Sequence, residues 1–245
     1  MTGNAGRHDA RTDRADDAFP VRLASGLILA PAALVVAWIG GVIFAAFWGA
    51  AAVIVAWEWI NLVARARARD RRLWFVAGGV YAAVAFIAPV TLRGLRSDQA
   101  YGFSAIVFLF AIVWITDIMG YAVGRAIGGR KLWPAISPNK TWSGAIGAVM
   151  GALVAGLAVA AWDGMALAPI AILAMILSMV AQGGDLFESA IKRKFGAKDT
   201  SDLIPGHGGL MDRLDGFIAA ALAAALFGAW RGGGFDGAAR GLLVW

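Results

Sequence analysis

Residues 185–215 read DLFESAIKRKFGAKDTSDLIPGHGGLMDRLD, and this run decides how the rest of the chain is understood. Acids and bases are interspersed along it around the turn Pro205-Gly206-His207-Gly208-Gly209, and apolar stretches flank it on both sides. A protein that needed only to be anchored would not require such a density of both charges. Charges at or inside a bilayer are costly unless they are paired or functional. The run therefore predicts a site for a metal ion and a phosphorylated substrate, set at the edge of a membrane.

Working outward, composition agrees. The 245 residues are 60% hydrophobic, with a mean hydropathy of +0.70, whereas a soluble domain is usually less than about half apolar. Crossing a hydrocarbon core of ~30 Å takes about 20 helical residues. Seven apolar segments approach or reach that length: 23–39, 42–64, 73–92, 102–123, 142–161, 166–181 and 210–230. The predicted fold class is all-α, a polytopic transmembrane helical bundle of about seven spans with cytoplasmic active-site loops. Residues 1–20 mix Arg and Asp and lack the apolar core of a secretory signal, so they read as a disordered cytoplasmic tail. Residues 21–245 form the membrane domain.

The basic residues orient the bundle. Of 22 Lys and Arg, all but Arg93, Arg96, Arg231 and Arg240 fall on one side of this arrangement. By the positive-inside rule that side is cytoplasmic, which supports an odd number of spans with the C-terminus outside; the inner (plasma) membrane is the expected location. Both polar loops, 124–141 and 184–215, then face the compartment that holds nucleotides. The run from Arg65 to Arg72 reads as an anchor against anionic headgroups. Membrane lipids are the expected surroundings and no nucleic-acid partner is expected.

There is no cysteine, and His8 and His207 are the two histidines. Thiolate and multi-histidine metal sites are excluded, which leaves carboxylates and a hard cation such as Mg²⁺. If a helix starts at Asp185, then Asp185, Glu188, Ser189 and Lys192 share one face. That stripe suits a cation bridged to a phosphate; it equally suits a helix-start acid that complements the macrodipole, with an ordinary Glu–Lys pair behind it. Asp212 and Asp215 lie at the mouth of the last apolar segment, so Asp185 and Asp212 can converge on one ion whose shell is completed by phosphate and water. His207 can donate to a phosphate. Lys192, Arg193, Lys194 and Lys198 can neutralise a polyphosphate, or simply anchor the loop. In the other loop, Ser137-Pro138-Asn139-Lys140-Thr141-Trp142 leads into an apolar helix, a setting that favours anions, although P-loop spacing is absent. Asp117 lies inside an apolar segment and is a functional candidate by depth alone. Glu58, between Trp57 and Trp59, reads as interfacial. Gly144, Gly147 and Gly151 would let the fifth helix pack closely on a neighbour, or reflect the usual glycine content of membrane bundles.

These residues also resemble a known family. Ser189-x-Ile191-Lys192-Arg193, then Lys198-Asp199-x-Ser201, then Ile204-Pro205-Gly206-His207-Gly208-Gly209-Leu210-x-Asp212-Arg213-Leu214-Asp215 is similar to the defining motif of the phosphatidate cytidylyltransferases, also called CDP-diacylglycerol synthases. Trp57-Glu58-Trp59, Asp117-x-x-Gly120-Tyr121-x-x-Gly124-Arg125, Ser137-Pro138-x-Lys140-Thr141-Trp142-x-Gly144 and Gly184-Asp185-Leu186-Phe187-Glu188-Ser189 extend the likeness. Ser143 stands where the family commonly has Glu, and the N-terminal tail has no counterpart. The resemblance implies the reaction CTP + phosphatidate → CDP-diacylglycerol + pyrophosphate with Mg²⁺, and leaves a second cation open. It implies Asp185 and Asp212 as metal ligands, supported by Asp215, with Asp117 binding a cation or ordering a basic residue. Lys192, Arg193, Lys198 and Arg213 would hold phosphates, as would Ser189 and His207 in the same loop and Ser137, Lys140 and Thr141 in the other. CTP and phosphatidate are the implied partners, and a homodimer is a candidate assembly.

Two rivals remain at this stage. A CTP-dependent lipid kinase of the polyprenol type would release CDP instead of pyrophosphate. A transporter of an anionic substrate would place its charges near the bilayer midplane, whereas here nearly all cluster on one face.

Overall fold

Long apolar runs that must satisfy every backbone group inside a bilayer have one simple solution, the helix. The computed structural model describes residues 30–65, 70–95, 100–203 and 208–245. The tail, the start of the first expected span, the middle of the Arg65–Arg72 run and residues 204–207, His207 among them, lie outside the described residues. A short helix α1, Ala30–Ile39, precedes α2 (Gly41–Arg65), α3 (Arg71–Arg93) and α4 (Ala100–Ile127). A two-stranded antiparallel hairpin, β1 (Lys131–Trp133) and β2 (Ser137–Thr141), leads into α5 (Trp142–Trp162). Then come α6 (Leu167–Lys194), α7 (Met211–Gly232), a 3₁₀ turn (Phe235–Gly237) and α8 (Ala238–Leu243).

Six of these helices, α2 to α7, are long and apolar enough to cross a membrane. The chain is a multi-pass helical membrane protein. The first expected span is described only from Ala30, as the short α1. The outward faces are apolar, with Val42, Val53, Val154 and Trp162 all exposed, as lipid contact requires.

One expectation is corrected. Asp185 does not open a new helix, and the sixth apolar segment does not stop at Ala181. Helix α6 runs unbroken for 28 residues to Lys194, about 42 Å at 1.5 Å per residue. The reason lies on its inner face, where Gly184, Glu188 and Ile191 remain buried as Ala181 does, so packing continues while the other face turns polar. The chain then leaves the helix at Gly196, whose φ of +70° an L side chain rarely adopts. The shared face of Asp185, Glu188, Ser189 and Lys192 therefore exists, but on the last turns of a membrane helix.

Small residues set the spacing between helices. A Cβ on Gly144 would lie 2.6 Å from the Gly120 carbonyl, and one on Gly151 would lie 2.5 Å from Met119 Cγ, so α5 closes on α4 through its glycine stripe. The central core stacks Trp48 on Phe217, with centroids 4.9 Å apart and an interplanar angle of 13°, and Phe110 lies 5.0 Å from the same ring. A second apolar cluster of Val55, Trp59, Leu62, Ile191, Phe195 and Met211 lies at one end, where α2, α3, α6 and α7 meet. The hairpin and the α6–α7 loop are gathered at that same end, where Arg193 Nε in the last turn of α6 donates to the Ile136 carbonyl of the hairpin at 3.4 Å.

Candidate active site

Helices α6 and α7 present their charged turns to each other, and the loop between them folds back over both. Lys192 lies between two carboxylates, 2.7 Å from Glu188 Oε2 and 2.6 Å from Asp212 Oδ1. Glu188 is fully buried, so this ammonium is the counter-charge that makes a carboxylate tolerable there. The other oxygen of Asp212 accepts from Thr200 N at 3.0 Å, Thr200 Oγ1 at 3.0 Å and Gly209 N at 2.8 Å. Asp212 thus ties the loop to the first turn of α7. One turn on, Asp215 Oδ1 accepts from Gly216 N at 2.6 Å.

Asp185 stands on the face of α6 that looks towards the hairpin. Lys140 of β2 forms an ion pair with it, and Ser189 Oγ donates to its Oδ1 at 3.4 Å. Lys140 is positioned by the hairpin and by the helix start beside it. Thr141 caps α5, its Oγ1 accepting from Gly144 N at 3.1 Å. That hydroxyl and that N–H satisfy each other, so Thr141 contributes here chiefly as a cap. Ser137 pairs with Trp133 at the far end of the hairpin.

Two cavities meet among these groups. The first, of about 640 Å³, is lined by Lys140, Asp185, Asp117, Arg125, Asn139 and Gln182. The second, of about 530 Å³, is lined by Trp48, Phe110 and Trp114 on one side and by Asp212, Arg213 and Asp215 on the other. Asp117 of α4 borders both. The acid singled out by its apolar surroundings in the sequence therefore stands at the junction of a pocket lined by Lys140, Arg125 and Asp185 and one that sets aromatic rings opposite Asp212, Arg213 and Asp215. Beside it, Thr116 Oγ1 donates to Ser178 Oγ at 2.8 Å, a buried bond that fixes α4 against α6.

Apart from Ser137 and Thr141, the expected residues that the structure describes fall into two groups. Asp117, Lys140, Asp185, Ser189, Lys192, Asp212, Arg213 and Asp215 gather around the two cavities. Arg193 and Lys198 are exposed at the rim, with Arg193 also donating to the Ala197 carbonyl at 3.1 Å. Among the described residues no three carboxylates form a preformed metal cage.

Glu58, read as interfacial from its neighbours, is fully buried among protein groups and accepts from Ser201 Oγ at 2.6 Å, Leu210 N at 2.9 Å and Met211 N at 2.7 Å. The flanking tryptophans do not reveal this role: Trp57 faces outward while Trp59 packs into the core. Thr200 was also missed. It occupies an unconstrained position of the motif, and one of its two bonds to Asp212 is made by the backbone, which no residue type announces.

Comparison with known proteins agrees with this geometry. Residues 68–230 match the model of the cytidylyltransferase family. The chain belongs to this family. The phosphatidate cytidylyltransferase of Brucella abortus is 40% identical over 252 aligned positions, which cover 85% of this chain and 92% of that protein. The phosphatidate cytidylyltransferase of Bacillus subtilis is 36% identical over 172 positions, covering 68% of this chain and 62% of that protein. The protein of that name from Staphylococcus saprophyticus is 36% identical over 167 positions, covering 67% and 64%.

Proposed function

We propose that this protein transfers the cytidylyl group of CTP to phosphatidate, releasing pyrophosphate and CDP-diacylglycerol. One observation carries the reading beyond family membership: a cavity lined by Lys140, Arg125 and Asp185 and a cavity that sets aromatic rings opposite Asp212, Arg213 and Asp215 share a wall at Asp117. A reaction between a water-soluble nucleotide and a lipid needs just such a junction. The charged cavity would take the triphosphate, with Lys140 and Arg125 in reach of its oxygens. The ring-lined cavity would take the glycerolipid, its rings packing on acyl chain and Arg213 meeting the phosphate.

In this reading a phosphate oxygen of phosphatidate attacks the α-phosphorus of CTP, the bond from that phosphorus to the bridging oxygen breaks, and pyrophosphate carries the electron pair away. The nucleophile is already an anion, so no strong base is required, and catalysis consists of alignment and charge neutralisation. Mg²⁺ would neutralise phosphate charge and template the two substrates. Asp185 and Asp212 are the proposed ligands, with Asp215 and Asp117 close by. Asp185 is the more accessible of the pair, because substrate and cation need only displace Lys140 from it. Lys192 holds Asp212 and Glu188 in register as well as supplying positive charge. We place the loop-bearing end in the cytoplasm, on the basic-residue asymmetry, and propose the plasma membrane as the location.

The test uses purified protein in detergent, phosphatidate, Mg²⁺ and CTP labelled at the α-phosphate. Label should enter the lipid as pyrophosphate is released, and should fail to do so with Asp185→Asn. CDP release upon addition of a polyprenol, with no lipid label, would replace this reading with a kinase.

A further inference from the structure

Helix α7 begins without a side-chain cap of its own. Its N-cap residue is Leu210, which makes no capping hydrogen bond, although the first N–H groups of any helix lack intrahelical acceptors. The acceptor comes from the other half of the chain. Glu58 on α2 receives Leu210 N on Oε1 and Met211 N on Oε2, and Oε1 also receives Ser201 Oγ. A carboxylate at a helix N-terminus is favoured by the macrodipole, and this one is fully buried, where solvent does not screen it. The fit leaves no slack, since a Cβ on Gly209 would lie 2.0 Å from Thr200 Oγ1 and 2.6 Å from Glu58 Oε1. Two carboxylates thus hold neighbouring parts of one loop: Glu58 takes Ser201 and the helix start, and Asp212 takes Thr200 and Gly209.

We propose that Glu58 is a positioning residue for the reaction centre, fixing the height and rotation of the first turn of α7 and through it the placement of Asp212 and Asp215. The inference deepens the proposed cytidylyltransferase reading and rests on it for its kinetic consequence. Glu58 touches no substrate; it acts through the backbone. Glutamine in its place keeps the shape but offers one acceptor oxygen and turns an NH₂ towards an N–H or hydroxyl donor, so the helix start must shift. Misplacement of reacting groups by about 1 Å can cost on the order of 100-fold in rate.

Two readouts are compared in Glu58→Gln, Ser201→Ala and wild type, all in the same detergent. Hydrogen exchange of the peptide spanning Leu210 and Met211 reports the cap without reference to activity. Turnover against Mg²⁺ concentration reports its consequence. Glu58→Gln should speed exchange at these amides at least tenfold, lower kcat at least tenfold and raise the Mg²⁺ concentration for half-maximal rate. KM for CTP should change less than threefold, because Lys140 and the hairpin are untouched. Ser201→Ala, which removes one bond and no backbone acceptor, should move both readouts in the same direction by a smaller factor. A general loss of folding would lower active-site concentration but leave KM and the Mg²⁺ dependence of the remaining enzyme unchanged. If Glu58→Gln does not fold, Ser201→Ala decides alone. Wild-type kcat and Mg²⁺ dependence in folded Glu58→Gln, or in Ser201→Ala where that variant decides, would overturn the proposal. Inactive wild-type protein with the exchange difference intact would instead overturn the cytidylyltransferase reading and leave the cap standing.

Discussion

The two ends of the bundle both carry charge, and they use it differently. At the loop-bearing end the carboxylates of Asp117, Asp185, Asp212 and Asp215 border open cavities. At the opposite end two arginines, Arg93 and Arg231, are turned inward and matched to backbone. Arg93, buried, donates from Nε to the Ala37 carbonyl at 2.6 Å and from a terminal nitrogen to the Trp38 carbonyl at 3.3 Å, closing the C-terminus of α1. Arg231 donates to the Gly241 carbonyl at 2.8 Å and lies 3.6 Å from the Trp245 ring centroid. A charge matched to helix-end carbonyls contributes to packing, whereas a carboxylate set beside others of like charge around a cavity is costly for folding and useful for binding a cation. That contrast separates function from architecture more clearly than residue type does.

The largest effect should come from Asp185→Asn. The change is nearly isosteric, and its protein partners are Lys140 and Ser189 on a half-buried face. Turnover should fall by about 100- to 1,000-fold, the scale on which removing one electrostatic contact to the reacting group is felt. The thermal midpoint should move by only a degree or two. Asp212→Asn is a less clean probe, because it also disturbs three hydrogen bonds that hold the loop, so it should lose activity and stability together.

The opposite end should behave in reverse. A Cβ on Gly241 would lie 2.1 Å from the Gly228 carbonyl and 2.4 Å from Gly232 N, where α8 packs against α7. Gly241→Val should cost about 1–3 kcal/mol of stability by overpacking, read as a lowered thermal midpoint. Turnover per folded molecule should stay within twofold. A collapse of turnover in the protein that remains folded would show the two ends to be coupled, and the contrast would fail.

Lys140→Ala tests the hairpin. Its ammonium is the partner of Asp185 and lines the charged cavity, so kcat/KM for CTP should drop about tenfold, equivalent to about 1.4 kcal/mol. Lys140→Arg should recover part of the loss. An unchanged kcat/KM would move the triphosphate away from the hairpin.

Much of this was readable from the chain alone, and the failures have physical causes. Apolar length gave six of the seven expected segments as membrane helices, because a bilayer imposes a simple length rule. The motif residues Lys192, Asp212 and Asp215 came together because they occupy adjoining turns of two antiparallel helices joined by one loop. Helix α6 was cut short at Ala181 because hydropathy weighs a polar outer face and cannot see Glu188 and Ile191 buried on the inner one. The role of Glu58 was not legible because its partners are 143 to 153 residues away and two of them are backbone amides, which leave no trace in sequence. The same holds for α8, six residues long, whose seat on α7 depends on Gly228, Gly232 and Gly241 being absent of side chains.

The smallest effect sharpens the contrast from the quiet side. Arg231→Met keeps the apolar stem against Phe227 and Trp245 while removing the hydrogen bond to Gly241 and the cation from the ring. Cation–π contacts at exposed sites contribute about 0.5–1 kcal/mol, and a typical hydrogen bond about 1 kcal/mol net. The methionine recovers part of this through its own packing on the rings, so the net loss should be about 1 kcal/mol, visible as a small fall in thermal midpoint. Activity, Mg²⁺ dependence and KM should be those of the parent protein. If this arginine instead served the reaction, kcat would fall with the fold intact. Arg231 would then have to be reached by substrate from an end where it is held between a carbonyl and an indole, so a clean kcat effect would refute the division of labour between the two ends.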